Sequence, residues 1–446
     1  MRVCVVGAGV VGCATAFDLT LAGHQVTLID AASEPGTGTS FANGAQLSYS
    51  YVEPLANPAT LRSLPKLLLD RDSPVRFQLR ADLNQWWWGA KFLLACARDT
   101  ANAGTRQLLN LGALSSKTLD GWIERERLDF AFQRNGKLVL CADSATLERQ
   151  AAQVRVQAYT GVDQRVLGRD ECVAHEPSLA AYPGFVGGIW TPSECVGDPY
   201  LFCKALVALL NQRGARCLFS TWVAGFEIRR ERAVAVRTQA GLIEADAFVL
   251  ATGLEGPRLA SELSERLPIY PIKGYSLTLR MKEKTRAPTV SVTDLAQKTV
   301  FAPLNGSLRV AAMAEIVGRD FTIPQDRIDR MVRAVEKIYP GLCNFDELCP
   351  WAGLRPTTPN SVPIIRTARA IRNVVLNVGH GALGFTLAAG SARLVSAMLG
   401  DIGSLLGNDS EDEPSDTEFM NGRLACRDGR TLDAHAGRVL RHGSSE

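Results

Sequence analysis

The chain has 446 residues, of which 46% are hydrophobic and 21% charged, a composition typical of a globular protein with two or three domains. Its 49 Lys and Arg residues against 46 Asp and Glu residues give a net charge of only +3, which argues against a nucleic-acid partner. The 11 cysteines show no C-x-x-C spacing, so we interpret them as reduced thiols in a cytoplasmic chain without a metal site. No run of eighteen apolar residues occurs, and we expect no membrane-spanning segment.

The amino terminus predicts a βαβ unit. RVCVV reads as a strand, GAGVVG as a tight loop, the following segment as a helix ending at Gly23, and HQVTLID as a second strand. Within G-x-G-x-x-G, Gly7 permits the turn, Gly9 lets a pyrophosphate approach the backbone, and Gly12 lets helix and strand pack closely. Asp30 ends the second strand and can accept hydrogen bonds from an adenosine ribose. This unit predicts a dinucleotide site, but it does not distinguish NAD from FAD.

Three later features favour FAD. EADAFVLATG reads as a buried strand that ends in Ala251, Thr252 and Gly253, where backbone can approach a cofactor. GHGALGFT begins a helix, and its amide donors can face negative charge on the pyrimidine edge of a reduced flavin. Only one dinucleotide fingerprint is present, so a bound flavin would itself be the redox centre.

The remaining elements predict an α/β protein with a discontinuous, Rossmann-like FAD-binding domain and a substrate domain built on a mixed or antiparallel sheet. Residues 86–160 are mostly helical, and the tryptophan-rich WWWGAKFLLACA is interpreted as a core helix, with contact to a membrane surface as the alternative. Residues 268–316 alternate as strands. The predicted FAD-binding parts are 1–85, 198–262 and 349–400; the substrate parts are 86–197 and 263–348; and 401–446 is a polar, disordered tail.

Five segments in this order, VVGAGVVG, TSFANGAQLS, YPIKGYSLT, WAGLRPTTP and NVGHGALGFTLAAGSARL, resemble the FAD-dependent amino-acid oxidoreductases of the D-amino-acid oxidase superfamily, most of all the small subunit of bacterial D-amino-acid dehydrogenases. The resemblance implies non-covalent FAD, oxidative deamination of D-amino acids to 2-oxo acids and ammonia, and electron transfer to a respiratory acceptor such as a quinone. It implies a cytoplasmic protein, with the tryptophan-rich helix as the candidate for peripheral contact at the inner face of the membrane. Together with the glycine loops, it predicts these cofactor-binding residues: Val3, Val6, Gly7, Ala8, Gly9, Val10, Val11, Gly12, Phe17, Asp30, Ser40, Asn43, Ala251, Thr252, Gly253, Gly379, Gly381, Gly384 and Thr386.

The same resemblance suggests a function for Arg355 in WAGLRPTTPN. A guanidinium offers two parallel N–H donors, so one arginine can bind and orient the carboxylate of an amino-acid substrate. Tyr275 is the second candidate, either as a donor to this carboxylate or as an ordinary strand tyrosine. His380 is interpreted as part of the turn before the last helix, and not as a base, because hydride transfer from a neutral amine requires no dedicated base.

Two departures from the family pattern bear on the expected geometry and substrate. Gly44-Ala45 replaces the usual Ala-Gly, and Asn360-Ser361 replaces Asp-Gly after the arginine. A substrate preference different from D-alanine is therefore open. The alternatives are an FAD-dependent oxidase or dehydrogenase of glycine, sarcosine, D-proline or hydroxyproline, and a non-catalytic dinucleotide-binding subunit of a larger complex.

Overall fold

The computed structural model describes residues 1–50, 54–62, 75–157, 162–282 and 287–407, and four short strands between 418 and 441. Within these residues the α-helices are α1 (Val10–Leu21), α2 (Leu83–Ala95), α3 (Arg98–Glu126), α4 (Ser144–Gln157), α5 (Arg169–His175), α6 (Pro199–Gln212), α7 (Gly256–Ser261), α8 (Gln325–Ile338) and α9 (Gly384–Gly407). The first thirteen strands are β1 (Arg2–Val6), β2 (Gln25–Ile29), β3 (Gln46–Leu47), β4 (Val75–Phe77), β5 (Lys137–Cys141), β6 (Arg165–Gly168), β7 (Gly187–Thr191), β8 (Cys195–Val196), β9 (Arg216–Leu218), β10 (Val223–Arg229), β11 (Arg232–Thr238), β12 (Gly241–Glu244) and β13 (Ala247–Leu250). They are followed by β14 (Tyr270–Arg280), β15 (Ser291–Asp294), β16 (Thr299–Leu304), β17 (Ser307–Ile316), β18 (Cys349–Thr357), β19 (Ile364–Thr367), β20 (Val374–Val378), β21 (Glu418–Met420), β22 (Arg423–Ala425), β23 (Arg430–Asp433) and β24 (Arg438–Arg441).

The first sheet contains the predicted βαβ unit. Its strand order is β19-β20-β13-β1-β2-β9, and all neighbours are parallel except the edge strand β19. β1 lies inside the sheet, and its residues Val3 to Val6 are buried, as expected for an apolar strand covered on both faces. The sequence prediction for β1, α1 and β2 is confirmed.

Three helices pack together beside this sheet: α1, α3 and α9. Phe17 of α1 meets Trp122 of α3 edge to face, with ring centroids 5.2 Å apart. The segment Gly381–Gly400, mostly α9, is long and apolar enough by length and composition to cross a membrane, but 67% of its most apolar window is buried. Arg393 interrupts this apolar segment, but the mean hydropathy of the segment remains within the range of membrane-spanning helices. Burial against α1 and α3 makes α9 a core helix of this fold.

The second sheet has the order β18-β14-β17-β16-β15-β5-β7-β6, with β4 beside β17. It is mixed, since β15 pairs with β5 and β17 with β4 in parallel, while the other neighbours are antiparallel. The fold class therefore agrees with the sequence prediction. β4 and β18, which lie within the predicted FAD-binding parts 1–85 and 349–400, pair in this sheet.

The carboxyl-terminal part also departs from the prediction. α9 continues to Gly407, beyond the predicted boundary at 400, and β21 to β24 form an antiparallel sheet of their own where a disordered tail was expected. The other tail residues, including the acidic stretch 408–417, lie outside the described residues.

Candidate functional site

A cavity of about 980 Å³ lies between the carboxyl ends of the first sheet's strands and one face of the second sheet. This volume is at the upper end of the usual range for ligand pockets. Of the predicted site residues, the following border it: Val6, Gly7, Ala8, Gly9, Val10, Val11, Asp30, Ser40, Asn43, Ala251, Thr252, Gly253, Tyr275, Arg355, Gly379, Gly381, Gly384 and Thr386.

The loop between β1 and α1 requires its glycines. Gly7 has φ +105°, and a Cβ there would lie 2.5 Å from the carbonyl oxygen of Ala251. A Cβ at Gly12 would lie 1.7 Å from the carbonyl oxygen of Gly7. The turn at Gly7 and the close packing at Gly12 therefore have the geometric reasons that the spacing predicted.

Two polar side chains hold this loop from outside. The carboxylate of Asp30 accepts from the backbone N–H of Ala8 at 2.5 Å and from that of Ala32 at 2.8 Å. The hydroxyl of Ser40 accepts from the N–H of Val10 at 3.1 Å and so satisfies a donor in the first turn of α1 from outside the helix. The polar loop after β2 thus lies against the dinucleotide loop.

Three predicted cofactor-binding residues do not border the cavity: Val3, Gly12 and Phe17. Val3 and Phe17 belong to the hydrophobic core between the first sheet and its helices. Both side chains point into this core, because a binding segment defined in sequence also includes the inward positions of β1 and α1. Gly12 acts through packing alone.

The residues that line the rest of the cavity fit a dinucleotide with a flavin beyond the pyrophosphate. Gly379 and Gly381 have φ +83° and +55°, so the turn before α9 depends on conformations that favour glycine. Thr252 also borders the cavity, and its hydroxyl oxygen is buried without a hydrogen-bond partner in the described structure. These features agree with a cofactor that runs from Asp30 past α1 towards α9.

His380 is part of the fold, as the sequence predicted. Its Nε2 and the hydroxyl oxygen of Ser391 on α9 are 2.9 Å apart, and burial lowers the pKa of His380 to about 3. The ring is therefore neutral at physiological pH. It holds the turn to the following helix and does not titrate near neutrality.

Arg355 lies on β18, directly opposite Ile272 of β14, and is half-buried. A Cβ on the neighbouring Gly274 would lie 2.2 Å from Nη2, so the guanidinium covers this glycine. Its Nη1 donates to the carbonyl oxygen of Met313 at 3.1 Å. Met313 has φ +67° and sits at the register shift between β14 and β17, which turns its carbonyl towards Arg355.

No ion pair within the described part of the chain involves Arg355. Burial lowers its guanidinium pKa, and desolvation without a carboxylate is costly for a cation. The arrangement therefore provides a fixed, half-buried positive charge at the cavity wall, suited to a carboxylate ligand.

Tyr275 does not fit the contact predicted for it. Side chains alternate along β14, so Tyr275 lies on the opposite face from Gly274 and Arg355. Its hydroxyl donates to Glu315 at 2.6 Å, and Glu315 pairs with Arg327 at 2.8 Å. Burial and the charge of Glu315 raise the pKa of Tyr275. The tyrosine belongs to a buried polar network behind the sheet.

The two departures from the family pattern keep the backbone that glycine would favour. Ala45 has φ +58° and Ser361 φ +63°, although neither is glycine. Asn43 accepts from the N–H of Ala45 at 2.8 Å, and Ser361 accepts from the N–H of Leu55 at 3.0 Å. These bonds hold the left-handed residues in place.

Sequence reasoning missed Lys137 and Ser48, which also border the cavity. Lys137 is only 4% exposed, and its ammonium donates to the hydroxyl of Ser48 at 2.8 Å. A lysine in the otherwise apolar run KLVLC was the available signal. Among the described residues, no group of His, Cys, Asp and Glu side chains is arranged to hold a metal ion.

Comparison with known proteins agrees with this geometry. The family described as FAD dependent oxidoreductase matches residues 2–398, and the chain belongs to it. D-amino acid dehydrogenase 2 of Ralstonia nicotianae is 41% identical over 418 residues, which are 90% of this chain and 96% of that protein. The protein of the same name from Pseudomonas aeruginosa is 42% identical over 401 residues, which are 90% of this chain and 95% of that protein.

Solved structures show the same fold at low sequence identity. Glycine oxidase from Geobacillus kaustophilus has a TM-score of 0.70 at 18% identity, covering 90% of this chain and 95% of its own. L-proline dehydrogenase from P. horikoshii has a TM-score of 0.69 at 18% identity, covering 90% and 93%. The cofactor of the family is FAD, as the sequence predicted.

Proposed function

We propose that this protein catalyses the oxidative deamination of D-amino acids to 2-oxo acids and ammonia. The observation that carries the proposal is Arg355, a positive charge without an ion-pair partner in the described structure, on the cavity wall facing the dinucleotide loop. The curated relatives named D-amino acid dehydrogenase support it, since they match 90% of the chain.

Arg355 orients the substrate. Its Nη1 is anchored on the carbonyl of Met313, and Gly274 leaves room for the guanidinium plane, so the remaining N–H donors are preorganised for a carboxylate. When bound, FAD supplies the acceptor for the hydride that leaves the substrate Cα. The amine loses a proton in the same conversion, and water hydrolyses the resulting imino acid to the 2-oxo acid and ammonia.

The dinucleotide loop and Asp30 are the residues that would hold the cofactor. His380, the candidate general base at the cavity, does not fit that function. The N–H groups of Gly9 and Val11, at the start of α1, are the backbone donors left for the pyrophosphate, because those of Gly7, Ala8 and Val10 donate within the protein, while Asp30 lies where the adenosine ribose is expected. His380 is neutral and engaged with Ser391, so it does not serve as a general base.

The test is anaerobic mixing of the FAD-loaded protein with a panel of D- and L-amino acids, glycine, sarcosine and proline derivatives while flavin absorbance is followed. Neutral D-amino acids are expected to bleach the flavin, and their L-enantiomers are not. Bleaching by proline-like or N-methyl substrates alone would replace the proposal with the first alternative. A flavin that no amino acid reduces would point to a binding subunit.

The electron acceptor that we propose is a quinone of the respiratory chain, reached at the inner face of the membrane through α2. One face of this helix is apolar and exposed: Leu83 is 84%, Trp86 54% and Leu94 75% exposed. The opposite face packs into the protein through Trp88 and Phe92, as the core-helix interpretation expected. The helix therefore has two apolar faces, and one of them has no cover in the described structure.

Basic side chains surround the exposed face. Arg80, Lys91 and Arg98 are exposed, and the guanidinium of Arg266 lies 4.1 Å from the centre of the Trp87 ring. Exposed aromatic and leucine side chains flanked by cations are suited to an anionic lipid surface, where each cation contributes about 1 kcal/mol.

Vesicle flotation tests this contact. The triple variant Leu83→Ser, Trp86→Ser, Leu94→Ser is expected to lose binding to vesicles rich in phosphatidylglycerol, because it loses its apolar face. Leu242→Ser is the control, since Leu242 is 54% exposed on β12. Equal flotation of the triple variant and the unaltered protein would refute the membrane role of α2.

A further inference from the structure

Lys137 is a buried cation that the proposed reaction does not use. It begins β5, whose five residues are all buried, and it is 4% exposed at the cavity border. Its ammonium donates to the hydroxyl of Ser48 at 2.8 Å. A lysine side chain is seldom buried without a specific electrostatic reason.

The contacts of Ser48 connect this cation to α9. The backbone N–H of Ser48 donates to the hydroxyl of Thr386 at 3.2 Å, in the first turn of that helix. The ammonium of Lys137 and the positive end of the α9 dipole are therefore brought to the same wall of the cavity. The dinucleotide loop lines the same cavity, so a flavin attached to a nucleotide in that loop would share the cavity with this wall.

The charge of Glu194 favours the protonated form of Lys137, and burial raises the pKa of Glu194 itself. This buried carboxylate accepts from the N–H of Ser50 at 2.8 Å. Burial lowers the pKa of Lys137 to about 8, and the charge of Glu194 opposes that shift. The ammonium is thus the main form at neutral pH.

Lys137 and Arg355 border the same cavity but lie on strands that are far apart in the second sheet. In the order β18-β14-β17-β16-β15-β5, the two residues are on the outermost strands named, five neighbour steps apart. At about 4.8 Å per step, this separation is roughly 24 Å across the sheet. If Arg355 binds the substrate carboxylate, the cofactor is the remaining ligand of the cavity that the charge of Lys137 can act on.

We propose that Lys137 is a positioning charge that, through Ser48, stabilises negative charge on the reduced flavin and raises its reduction potential. A fixed positive charge in a low-dielectric wall favours the more negative form of a neighbouring group. The inference rests on FAD binding, which family membership supplies, and is independent of which amino acid is oxidised.

The test is the midpoint potential of the FAD-loaded protein, measured against reference dyes during slow reduction without any amino acid. Lys137→Met is expected to shift the equilibrium towards oxidised flavin at least tenfold, which is about 30 mV for a two-electron couple. The affinity for sulfite, which adds to electron-poor flavins, is expected to fall by a similar factor. Lys137→Arg keeps the charge and is expected to remain within threefold of the unaltered protein.

Lys298→Met is the matched control, because Lys298 also borders the cavity but is exposed between β15 and β16. The flavin midpoint potential of the Lys298→Met protein is expected to stay unchanged. Lys137→Gln, which keeps a donor towards Ser48 without the charge, should behave like Lys137→Met.

Three results would overturn the inference: an unchanged potential in Lys137→Met, a shift in Lys137→Arg as large as in Lys137→Met, or loss of FAD from both uncharged variants while Lys137→Arg retains it. The last result would make Lys137 a residue of cofactor retention. Because no amino acid enters the measurement, failure here is distinct from failure of the D-amino acid proposal.

Discussion

Replacing Arg355 with lysine tests the central feature of the site. Lysine keeps the positive charge but loses the planar fork, so it cannot both bond the carbonyl of Met313 and present two donors to a carboxylate. Loss of one charge-assisted hydrogen bond costs about 1.5–3 kcal/mol. This corresponds to roughly a 10- to 100-fold decrease in kcat/KM, since each 1.4 kcal/mol is a factor of ten.

The assay separates substrate capture from the cofactor. Stopped-flow reduction gives the dissociation constant and the rate of hydride transfer, and flavin absorbance after desalting gives FAD content, which is expected to be unchanged. Arg319→Lys is the control, since Arg319 is an exposed arginine bound to Glu255 and the carbonyl of Leu254. An Arg355→Lys protein with unaltered substrate affinity would refute the carboxylate role.

Three further changes have defined outcomes. Gly274→Ala places a Cβ 2.2 Å from Nη2 of Arg355, so we expect it to displace the guanidinium and lower kcat/KM about tenfold with the fold intact. The control is Gly89→Ala, whose new Cβ has no atom within 4 Å and should leave the kinetics unchanged. Equal kinetics in the two variants would contradict the geometry. His380→Gln tests acid stability: the folded pKa of about 3 lies below the unfolded value of 6.5, so the unfolded state binds the proton first and stability falls as pH falls from 6.5 towards 3. Urea unfolding should show the unaltered protein losing about 2 kcal/mol more than this variant between pH 7 and 5, and identical losses would refute neutral burial. Ser40→Ala removes the hydrogen bond to the first turn of α1 and is expected to weaken FAD binding by roughly fivefold in fluorescence titration, at about 1 kcal/mol per hydrogen bond; unchanged binding would show that this bond does not matter for the cofactor.

Local signals made the amino-terminal half of the cofactor site predictable. The glycines of the first loop and Asp30 lie within one βαβ unit, where spacing alone fixes the geometry, and each is where the sequence predicted. Ser40 was found because a short segment resembles a family pattern, and Thr252 because it follows a predicted buried strand. The hydrogen bond that Ser40 accepts from Val10 and the unpaired hydroxyl of Thr252 could not be derived from spacing.

Residues whose function depends on strand pairing were not predictable. Alternation along β14 puts Gly274 and Tyr275 on opposite faces, but only the pairing with β18 shows which face bears Arg355. Lys137 required the same long-range information, because β5 pairs with strands about fifty and one hundred and fifty residues later. The pairing of β4 and β18 with the second sheet depends on the same long-range information.

The order of the strands in the first sheet also determines when this sheet can form during synthesis. β1 ends at residue 6, its neighbour β13 at residue 250, and the next strand β20 at residue 378. At about 5–20 residues per second, a ribosome needs roughly 20–75 s to pass from the first of these strands to the last. Throughout this interval one edge of an apolar strand is unpaired and open to pairing with other chains, and the turn at Gly379 and Gly381 that borders the cavity is among the last parts to be made.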